Sequence, residues 1–580
     1  MKQQRAWLKN GRRSLVLGVF TSIALGLAGY AFYLYHQKAD FLQDKGDAIH
    51  LKKLTIEAHR GLITERNGDP LAVSTPVSSV WVKPVELMEA RARWGELATL
   101  LDYSPDALEA LLTPRKTQKF LWVRRQISPE IAHRLQDAAI PGVYLTDEYR
   151  RYYPGGEVTA NLLGFTNVDD RGQEGVELAF DESLRGQPGH DRVLQDRLGR
   201  VVEHVERIAP AQAGGDLVLS IDRRLQYIAY RELKKAVQQH SAASGQMVIL
   251  DVQTGEVLAM VNQPSYNPNN RSGSKSEAFR NRTVTDLFEP GSTLKPFTIA
   301  AGLESGRFTP ESIIDTNPGF IRAGNHEIRD VHPIGVVPLP IVIQKSSNVG
   351  AIKVAFAIEP KQFWDVLNRV GFGHPTNVEV PGESAGQLDG YRNWGVQDRA
   401  VLAIGYHLTT SAVQLARAYG VLASGGLLRP VSVQRLTTKP TETRVMSEVV
   451  AAQVRAMMEL VTEKGGTAVA AAVEGYSVAG KTGTVKNNAG GEYEEKSYKS
   501  LFAGFLPASA PRLVGVVIID RPRGEQYYGG LVAAPVFSSV MHEAVRIFNV
   551  PPDRPLPVGK PPALLPGWTT APPQMADKTQ

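Results

Sequence analysis

The hydrophobic and polar positions of the chain open with a single long apolar run. Residues 15–35 carry no charged side chain, and 21 helical residues are long enough to cross the hydrocarbon core of a bilayer. Five basic residues precede the run, and the positive flank of a membrane helix stays in the cytoplasm. The pattern predicts a basic cytoplasmic segment over 1–14 and a single-pass anchor over 15–35. The alternative is a cleaved signal peptide, whose apolar region is normally shorter.

Residues 36–208 alternate between short strand patterns and helical patterns. A strand, a turn and a second strand are predicted over 57–74, because the pair Asn67-Gly68 is a strong turn signal between two apolar runs. Two amphipathic stretches, 86–101 and 129–138, predict helices. We therefore expect a mixed α+β module, which ends where glycine and proline interrupt both periodicities near residue 208.

The next module, 217–549, has the pattern of a sheet covered by helices. Predicted strands come from both ends of the segment, at 217–221, 247–250, 257–261, 501–505 and 513–519. A helix that begins at Asp222 and a terminal helix from about 535 to 548 are expected to pack on this sheet. From residue 551 onward nine prolines fall in 30 residues, so 550–580 is predicted to be an unpacked tail.

Composition narrows the possible functions. The formal net charge is +6, but the five basic residues before the anchor supply most of it, namely Lys2, Arg5, Lys9, Arg12 and Arg13. The rest of the chain is close to neutral, which argues against nucleic-acid binding. The chain has no cysteine, which excludes thiolate metal sites, and its 12 histidines show no metal-binding spacing, so a zinc site is not expected.

Ser292 is the first candidate for chemistry. It lies between turn-forming residues and the apolar run 297–303, so it is predicted to stand at the start of a helix. Residues three apart share a helix face, which puts the Lys295 amine beside the serine hydroxyl. An amine that is buried or close to another cation can lose its proton and activate a hydroxyl. The spacing alone is weak evidence, since Ser272 and Lys275 repeat it in a loop.

A second candidate is the segment Lys481-Thr482-Gly483-Thr484, which follows a predicted strand over 476–479. Such a strand edge can pair with an extended peptide, and the lysine and hydroxyl groups can hold a terminal carboxylate. Ser346 and Asn348 form a further short pattern, which is weak by itself because Ser265 and Asn267 have the same spacing.

In chain order these three elements match the S-x-x-K, S-x-N and K-[ST]-G signature of penicillin-recognising serine enzymes. The chain resembles the class B penicillin-binding proteins, most closely the division-specific FtsI type of Gram-negative bacteria. Arg60–Ile63, Arg66–Gly68 and Tyr528–Gly530 agree with this resemblance, which extends from the anchor to Phe548. Glu65 and Leu294 depart from the residues that relatives commonly carry, which leaves the elongation branch of the family open.

The resemblance implies a fold and a set of roles. The fold is a multidomain α+β chain: a transpeptidase domain over 217–549, like the serine β-lactamases, with a central antiparallel sheet flanked by helices, behind a dimerisation-like pedestal over 36–208. The implied catalytic residues are Ser292 as nucleophile, Lys295 as base, Ser346 as proton relay, Asn348 as an orienting amide and Lys481 as a positive charge. The implied substrate-binding residues are Thr482, Gly483 and Thr484, and the backbone N–H groups of Ser292 and Thr484 would form the oxyanion hole.

The resemblance also implies the reaction and its partners, and it implies neither a metal nor an organic cofactor. The substrate is a stem peptide that ends in D-Ala-D-Ala, an amine of a neighbouring strand completes the cross-link, and β-lactams acylate Ser292. The implied partners are an FtsW-like glycosyltransferase and other cell-division proteins, at the inner membrane with the catalytic domain in the periplasm. The alternatives are an elongation-type transpeptidase, a β-lactamase or D,D-carboxypeptidase of the same fold, and a non-catalytic scaffold. Tyr498, Tyr527 and Tyr528 are expected either to wall the cleft or to pack inside the domain.

Overall fold

The computed structural model describes residues 2–37, 51–195, 201–489 and 492–555. The chain divides into two compact units, one formed by 1–60 with 185–215 and the other by 61–184 with 216–580. These limits differ from those of the modules expected over 36–208 and 217–549, and the expected boundaries stay a prediction.

The first unit begins with a long helix, Lys2–Gln37. Its part from Arg13 to His36 has a mean hydropathy of 2.0, and none of this stretch is buried. The helix is therefore long and apolar enough to cross a membrane, and it contains the anchor predicted over 15–35. The unit also holds a three-stranded antiparallel sheet, in which Gly189–Gln195 lies between Leu51–Ile56 and Val201–Ala209.

The second unit contains a five-stranded sheet built mostly from residues 61–184. Its strands are Ile63–Thr64, Pro70–Val82, Leu121–Ile127, Val143–Tyr152 and Leu217–Val218. The predicted strand, turn and strand over 57–74 is present, and the Glu65 carboxylate accepts the Asn67 N–H of the turn at 2.6 Å. The strand predicted over 217–221 is shorter, since only its first two residues pair in this sheet.

Helices cover one face of this sheet, namely Pro84–Glu89, Trp94–Leu100, Pro105–Leu112 and Pro129–Ala138. The last of them has the predicted limits, because the Ser128 hydroxyl caps its first turn. The prediction of a single helix over 86–101 was wrong, because this stretch contains two helices, Pro84–Glu89 and Trp94–Leu100. The Trp94 indole donates to the Leu87 carbonyl at 2.9 Å, which is the acceptor that a continuous helix would offer to Arg91.

The second sheet of this unit is the central sheet predicted from both ends of the segment. Its five antiparallel strands run in the spatial order Val257–Gln263, Ser244–Asp251, Leu513–Asp520, Glu492–Leu506 and Ala479–Ala489. Both faces are covered, since almost every side chain of the first three strands is buried. Ala479–Ala489 stands at one side of the sheet and is called the edge strand below. The predicted antiparallel sheet flanked by helices is confirmed.

The helices around this sheet include those that the patterns predicted. Arg223–Gln239 begins at Asp222, whose carboxylate accepts the Arg224 and Leu225 N–H groups. Ala534–Ile547 packs against that helix and the sheet. Ala412–Ala423 also packs on the sheet, and Lys295–Glu304 is buried over almost its whole length.

The end of the described chain does not follow the prediction of an unpacked tail from residue 550. Asp553 accepts the Ser477 N–H at 2.7 Å and the Ser509 hydroxyl at 2.6 Å. Arg554 donates to Glu463 at 2.8 Å and to the Gly475 carbonyl at 3.1 Å. The prediction was therefore wrong for 551–555, because polar side chains between the prolines anchor the segment. The rest of the expected tail lies outside the described residues.

Candidate active site

Ser292 lies in a 3₁₀ turn, Gly291–Leu294, that leads directly into the helix Lys295–Glu304. We call Gly291–Leu294 the serine turn. Gly291 has a φ of +53°, and a Cβ there would lie 2.4 Å from a methyl group of Val485 in the edge strand. Its N–H donates to the Gly405 carbonyl at 2.9 Å. The turn is thus held between the edge strand and a second segment, with no room for a side chain at position 291.

Lys295 is fully buried, and its amine points to the loop that carries Ser346 and Asn348. Nζ donates to the Ser346 carbonyl at 2.6 Å and to Asn348 Oδ1 at 2.7 Å, and it lies 3.2 Å from the Ser346 hydroxyl. Within the described ranges, Ser292 is not among the hydrogen-bond partners of this amine. The i to i+3 spacing therefore brings Ser292 and Lys295 to one turn, while the hydrogen bonds of the lysine fix it to Ser346 and Asn348.

The burial of two lysines changes their protonation. Desolvation lowers the pKa of Lys295 to about 7, although the Asp330 carboxylate acts in the opposite direction. Lys481 is also fully buried, and its pKa is lowered well below the usual range by burial and by the nearby charge of Lys295. An amine with a pKa near 7 is partly neutral at neutral pH. Lys295 can therefore accept a proton, as general bases in active sites do.

The loop from Ser346 to Asn348 is locally strained and firmly held. Ser346 has a φ of +59°, which is uncommon for a residue with a side chain. Ser347 caps the helix Asn348–Ala357 by accepting the Gly350 N–H at 2.9 Å. The Asn348 Nδ2 donates to the Arg329 carbonyl at 2.7 Å, so its Oδ1 is left to face Lys295. This conformation directs the Ser346 carbonyl and the Asn348 amide at the same amine.

Two residues of the site were missed by the sequence analysis. Asp330 accepts hydrogen bonds from the Ser347 hydroxyl at 2.7 Å and from the Val349 N–H at 3.0 Å. The buried Tyr419 phenol donates to the Thr293 carbonyl at 2.8 Å and so supports the serine turn. Neither residue stands at a short, motif-like spacing from the groups that it contacts, so no pattern in the sequence pointed to them.

Lys481 to Thr484 lie inside the edge strand, which begins at Ala479 rather than at 476 as predicted. In the described part of the chain, this strand pairs along one side only, with Glu492–Leu506. The Thr484 hydroxyl accepts the Gly529 N–H at 3.0 Å, which leaves its own proton free for a ligand. Thr482 Oγ1 lies 3.0 Å from the hydroxyl of Thr467. The strand thus presents hydroxyl donors beside a backbone edge that an extended peptide could pair with.

A cavity of about 990 Å³ joins these groups. Five of the eight predicted site residues line it, namely Ser292, Ser346, Asn348, Thr482 and Thr484. The buried amines of Lys295 and Lys481 contact it through their bonds to Ser346, Asn348 and Thr482. Gly483 packs against the serine turn, since a Cβ there would lie 3.1 Å from Thr293. Ser272 and Lys275, the second S-x-x-K copy, are not among the lining residues.

Three tyrosines form one wall of the cavity. The rings of Tyr498 and Tyr527 are stacked with centroids 4.3 Å apart, and those of Tyr527 and Tyr528 are stacked at 4.6 Å. Of the two expectations for these residues, the structure supports the cleft wall rather than packing inside the domain. A flat aromatic wall next to the edge strand suits a ligand that lies extended along that strand.

The arrangement brings together groups that are suited to acyl transfer. It combines an accessible hydroxyl, a buried amine that can take a proton, and hydroxyl donors for a carboxylate on a strand edge. Among the residues that the structure describes, no group of three or more His, Asp or Glu could hold a metal ion.

Known proteins resemble the chain over most of its length. Residues 245–542 match the family model of the penicillin binding protein transpeptidase domain, and 55–219 match that of the penicillin-binding protein dimerisation domain. The chain is 42% identical over 558 residues to the peptidoglycan D,D-transpeptidase FtsI of Escherichia coli (strain K12), covering 95% of this chain and 94% of the relative.

The similar solved structures include two penicillin-binding proteins. The transpeptidase domain of penicillin-binding protein 3 from Burkholderia pseudomallei, in its apo form, has 40% identity and a TM-score of 0.54, and the match covers 58% of this chain and 98% of that one. Penicillin-binding protein 3 of Mycobacterium tuberculosis, complexed with aztreonam, has 28% identity and a TM-score of 0.67 over 87% of this chain and 99% of that one.

Proposed function

The chain belongs to the penicillin-binding protein transpeptidase family, and from this membership we propose that it is a peptidoglycan D,D-transpeptidase that works through an acyl-enzyme on Ser292. The family predicted from the three motifs is confirmed. The assignment of individual residues is our proposal. The observation that carries it is the Lys295 amine, which is fully buried, has a pKa of about 7 and is bonded to Ser346 and Asn348 on the same cavity as Ser292.

The first half of the reaction forms the acyl-enzyme. Lys295 takes the proton of the Ser292 hydroxyl, and the serine oxygen attacks the carbonyl of the penultimate D-alanine. The bond between that carbonyl and the terminal D-alanine breaks. The proton passes from Lys295 to the departing amine through the Ser346 hydroxyl, which lies 3.2 Å from the lysine amine. The distance supports Ser346 as the proton relay.

The edge strand binds the part of the substrate that leaves. The terminal carboxylate accepts hydrogen bonds from Thr482 and Thr484, and the positive potential of Lys481 favours its charge. The N–H groups of Ser292 and Thr484 stabilise the negative oxygen of the tetrahedral intermediate, and one such donor contributes about 3 to 4 kcal/mol in comparable enzymes. Gly483 allows the backbone of the substrate to approach the strand.

The second half of the reaction transfers the acyl group to the amine of a neighbouring stem peptide. The amine attacks the ester carbonyl, the bond to Ser292 breaks, and the serine recovers its proton. A β-lactam enters the same cleft and acylates Ser292, but its ring-opened product does not leave in the same way. Slow release of this adduct separates a transpeptidase from a hydrolase of the same fold.

The apolar helix supports a membrane-anchored protein. The basic segment before it is expected to stay in the cytoplasm, and on this basis we propose that the catalytic domain lies on the periplasmic side of the inner membrane. We propose a role in septal wall synthesis, because the E. coli relative bears the name of the division-specific type. An FtsW-like glycosyltransferase and other division proteins are the expected partners, and an elongation role is the alternative.

Labelling by fluorescent penicillin tests the proposal. Ser292→Ala should abolish labelling, while Ser272→Ala is the matched control from the second S-x-x-K copy and should label like the wild-type chain. Thermal unfolding of each variant shows that it is folded. Persistent labelling of a folded Ser292→Ala chain would refute the assignment. Steady turnover of a chromogenic cephalosporin, in place of a stable adduct with one equivalent, would identify the protein as a hydrolase.

A further inference from the structure

Asp330 directly follows the strand His326–Arg329, and its carboxylate bonds to the loop that carries Ser346 and Asn348. Oδ2 accepts the Ser347 hydroxyl at 2.7 Å, and Oδ1 accepts the Val349 N–H at 3.0 Å and the Asn348 N–H. These donors belong to the cap and first turn of the helix Asn348–Ala357, where a negative charge is favoured by the helix dipole. Hydrogen bonds to a carboxylate are stronger than neutral ones, so they resist movement of the loop.

Asn348 links this carboxylate to the Lys295 amine. Its backbone N–H bonds to Asp330, and its Nδ2 donates to the carbonyl of Arg329 at 2.7 Å. Its remaining polar atom, Oδ1, accepts from the Lys295 amine at 2.7 Å. The main chain of Asn348 is therefore bonded to Asp330 and its side chain to Arg329. These two bonds fix the orientation of the side-chain amide, so that Oδ1 faces the Lys295 amine.

The charge of Asp330 also affects Lys295. The titratable groups that interact with this amine are Asp330, which raises its pKa, and Lys481, whose own pKa is lowered by the charge of Lys295. Among the described residues, the other charged or titratable side chains that line the same cavity are Glu327, Arg329, His332, Lys345, Tyr406, Lys486, Tyr498, Tyr527 and Tyr528. Asp330 is therefore the acidic group that partly offsets the effect of burial on the amine.

We propose that Asp330 is a positioning residue for the acyl transfer, which holds Ser346 and Asn348 against the Lys295 amine and places a negative charge behind the loop that carries them. The inference rests on the proposed function and extends it to a residue that does not touch the substrate. It acts through the loop, and it neither gives nor takes a proton in the reaction.

The test is the pH profile of acylation, measured on the full chain in detergent with a fluorescent penicillin. Asp330→Asn keeps an oxygen that can accept the N–H bonds but removes the charge. The plateau of the second-order rate constant should fall roughly tenfold, because bonds to a charged group are replaced by weaker ones. The acid limb of the profile should move to lower pH, since the lysine loses a group that favours its protonated form.

Three further variants separate position from charge. Ser347→Ala removes one bond to the carboxylate and keeps its charge, so the plateau should fall while the midpoint of the acid limb stays. Asp330→Glu keeps the charge on a longer side chain and should also hold the midpoint. Asp365→Asn removes a partly exposed carboxylate from the helix Pro360–Arg369 and should change neither quantity.

The outcomes distinguish this inference from the proposed function. An Asp330→Asn chain with the wild-type plateau and midpoint overturns the inference. If that variant does not fold, as its thermal unfolding would reveal, a Ser347→Ala chain with an unchanged plateau overturns it instead. Labelling of Ser292→Ala would count against the proposed function itself, whatever the Asp330 variants do.

Discussion

Two regions of the second unit each bury a basic side chain. In one region the side chain is paired with a carboxylate, and in the other it is bonded to neutral oxygens. In the region 61–184, the side chain of Arg151 is 1% exposed and donates to the Glu177 carboxylate, whose side chain is 0% exposed, at 2.7 Å. In the candidate active site, Lys295 is 0% exposed and donates to a carbonyl and an amide oxygen. Among the described residues, no carboxylate lies within ion-pair distance of this lysine.

The difference shows how burial without an ion-pair partner lowers the pKa of a lysine, so that the lysine can act as a base. A buried charge is costly unless a partner of opposite charge offsets the desolvation. Arg151 has such a partner, and guanidinium does not lose its proton in proteins. Lys295 has only neutral acceptors, so burial favours the neutral amine and lowers its pKa to about 7. Lys295 is therefore suited to proton transfer because no carboxylate among the described residues pairs with it. Arg151, which is paired with Glu177, keeps its charge and stabilises the fold.

Replacing Lys295 should have the largest effect, and the effect should be on the acylation rate. It tests whether the buried lysine is the base. Lys295→Met removes the proposed base, so the rate of acylation by fluorescent penicillin should fall about 10²- to 10⁴-fold, the usual contribution of general base catalysis. The free energy of unfolding should change little, because methionine fills similar space and removes the cost of burying an amine, which offsets the loss of the donor to Ser346 and Asn348. Thermal unfolding measures this second effect. Acylation at the wild-type rate would show that another group accepts the proton.

The sequence predicted those members of the candidate site that stand at short spacings in recognisable motifs. Ser292 with Lys295, and Lys481 to Thr484, were predicted in this way, and the structure brings Ser292, Thr482 and Thr484 to one cavity. Their catalytic roles stay a prediction. Asp330 and Tyr419 were missed because their bonds to the site join residues distant in sequence. Sequence patterns describe neighbours along the chain, and the support of a catalytic loop is built from neighbours in space.

The same limit applies to the fold. The helix Pro129–Ala138 was predicted with its limits, since its cap and its first residues are local signals. The break between Pro84–Glu89 and Trp94–Leu100 was not predicted, because it depends on a side-chain bond from Trp94 that competes with the helix. Asp553 anchors a proline-rich segment for a similar reason, since Ser477 and Ser509 come from distant parts of the chain.

Breaking the ion pair should have the next largest effect, on stability alone. Glu177→Gln leaves the Arg151 charge buried without its carboxylate, and removal of one partner of such a pair typically costs about 3 to 5 kcal/mol. Denaturant unfolding should show a lower midpoint. The folded variant should still be acylated at the wild-type rate, because the pair does not contact the cavity. An unchanged midpoint would mean that the two buried cations do not differ as described.

The pH dependence of acylation and of stability tests whether Lys295 is buried as a neutral amine. Acylation should rise about tenfold per pH unit below pH 7 and level off above it, since Lys295 must be neutral to accept a proton. Stability should also rise with pH between about 7 and the usual lysine pKa. The folded pKa is lowered, so in this window the unfolded chain binds a proton that the folded chain does not. The difference in unfolding free energy between wild type and Lys295→Met, measured across pH, should show this slope.

The smallest effect on stability is expected for an ion pair of similar length that is not buried. Lys361 and Asp365 lie four residues apart on one helix with 2.6 Å between Nζ and Oδ2, which is as close as the pair of Arg151 and Glu177. Their side chains are 62% and 33% exposed, so water and salt screen the charges in both the folded and unfolded states. Lys361→Met should therefore leave the thermal unfolding midpoint and the acylation rate unchanged within error. A marked fall in the midpoint would show that distance, rather than removal from water, decides what a cation contributes, and the contrast between Arg151 and Lys295 would then need another cause.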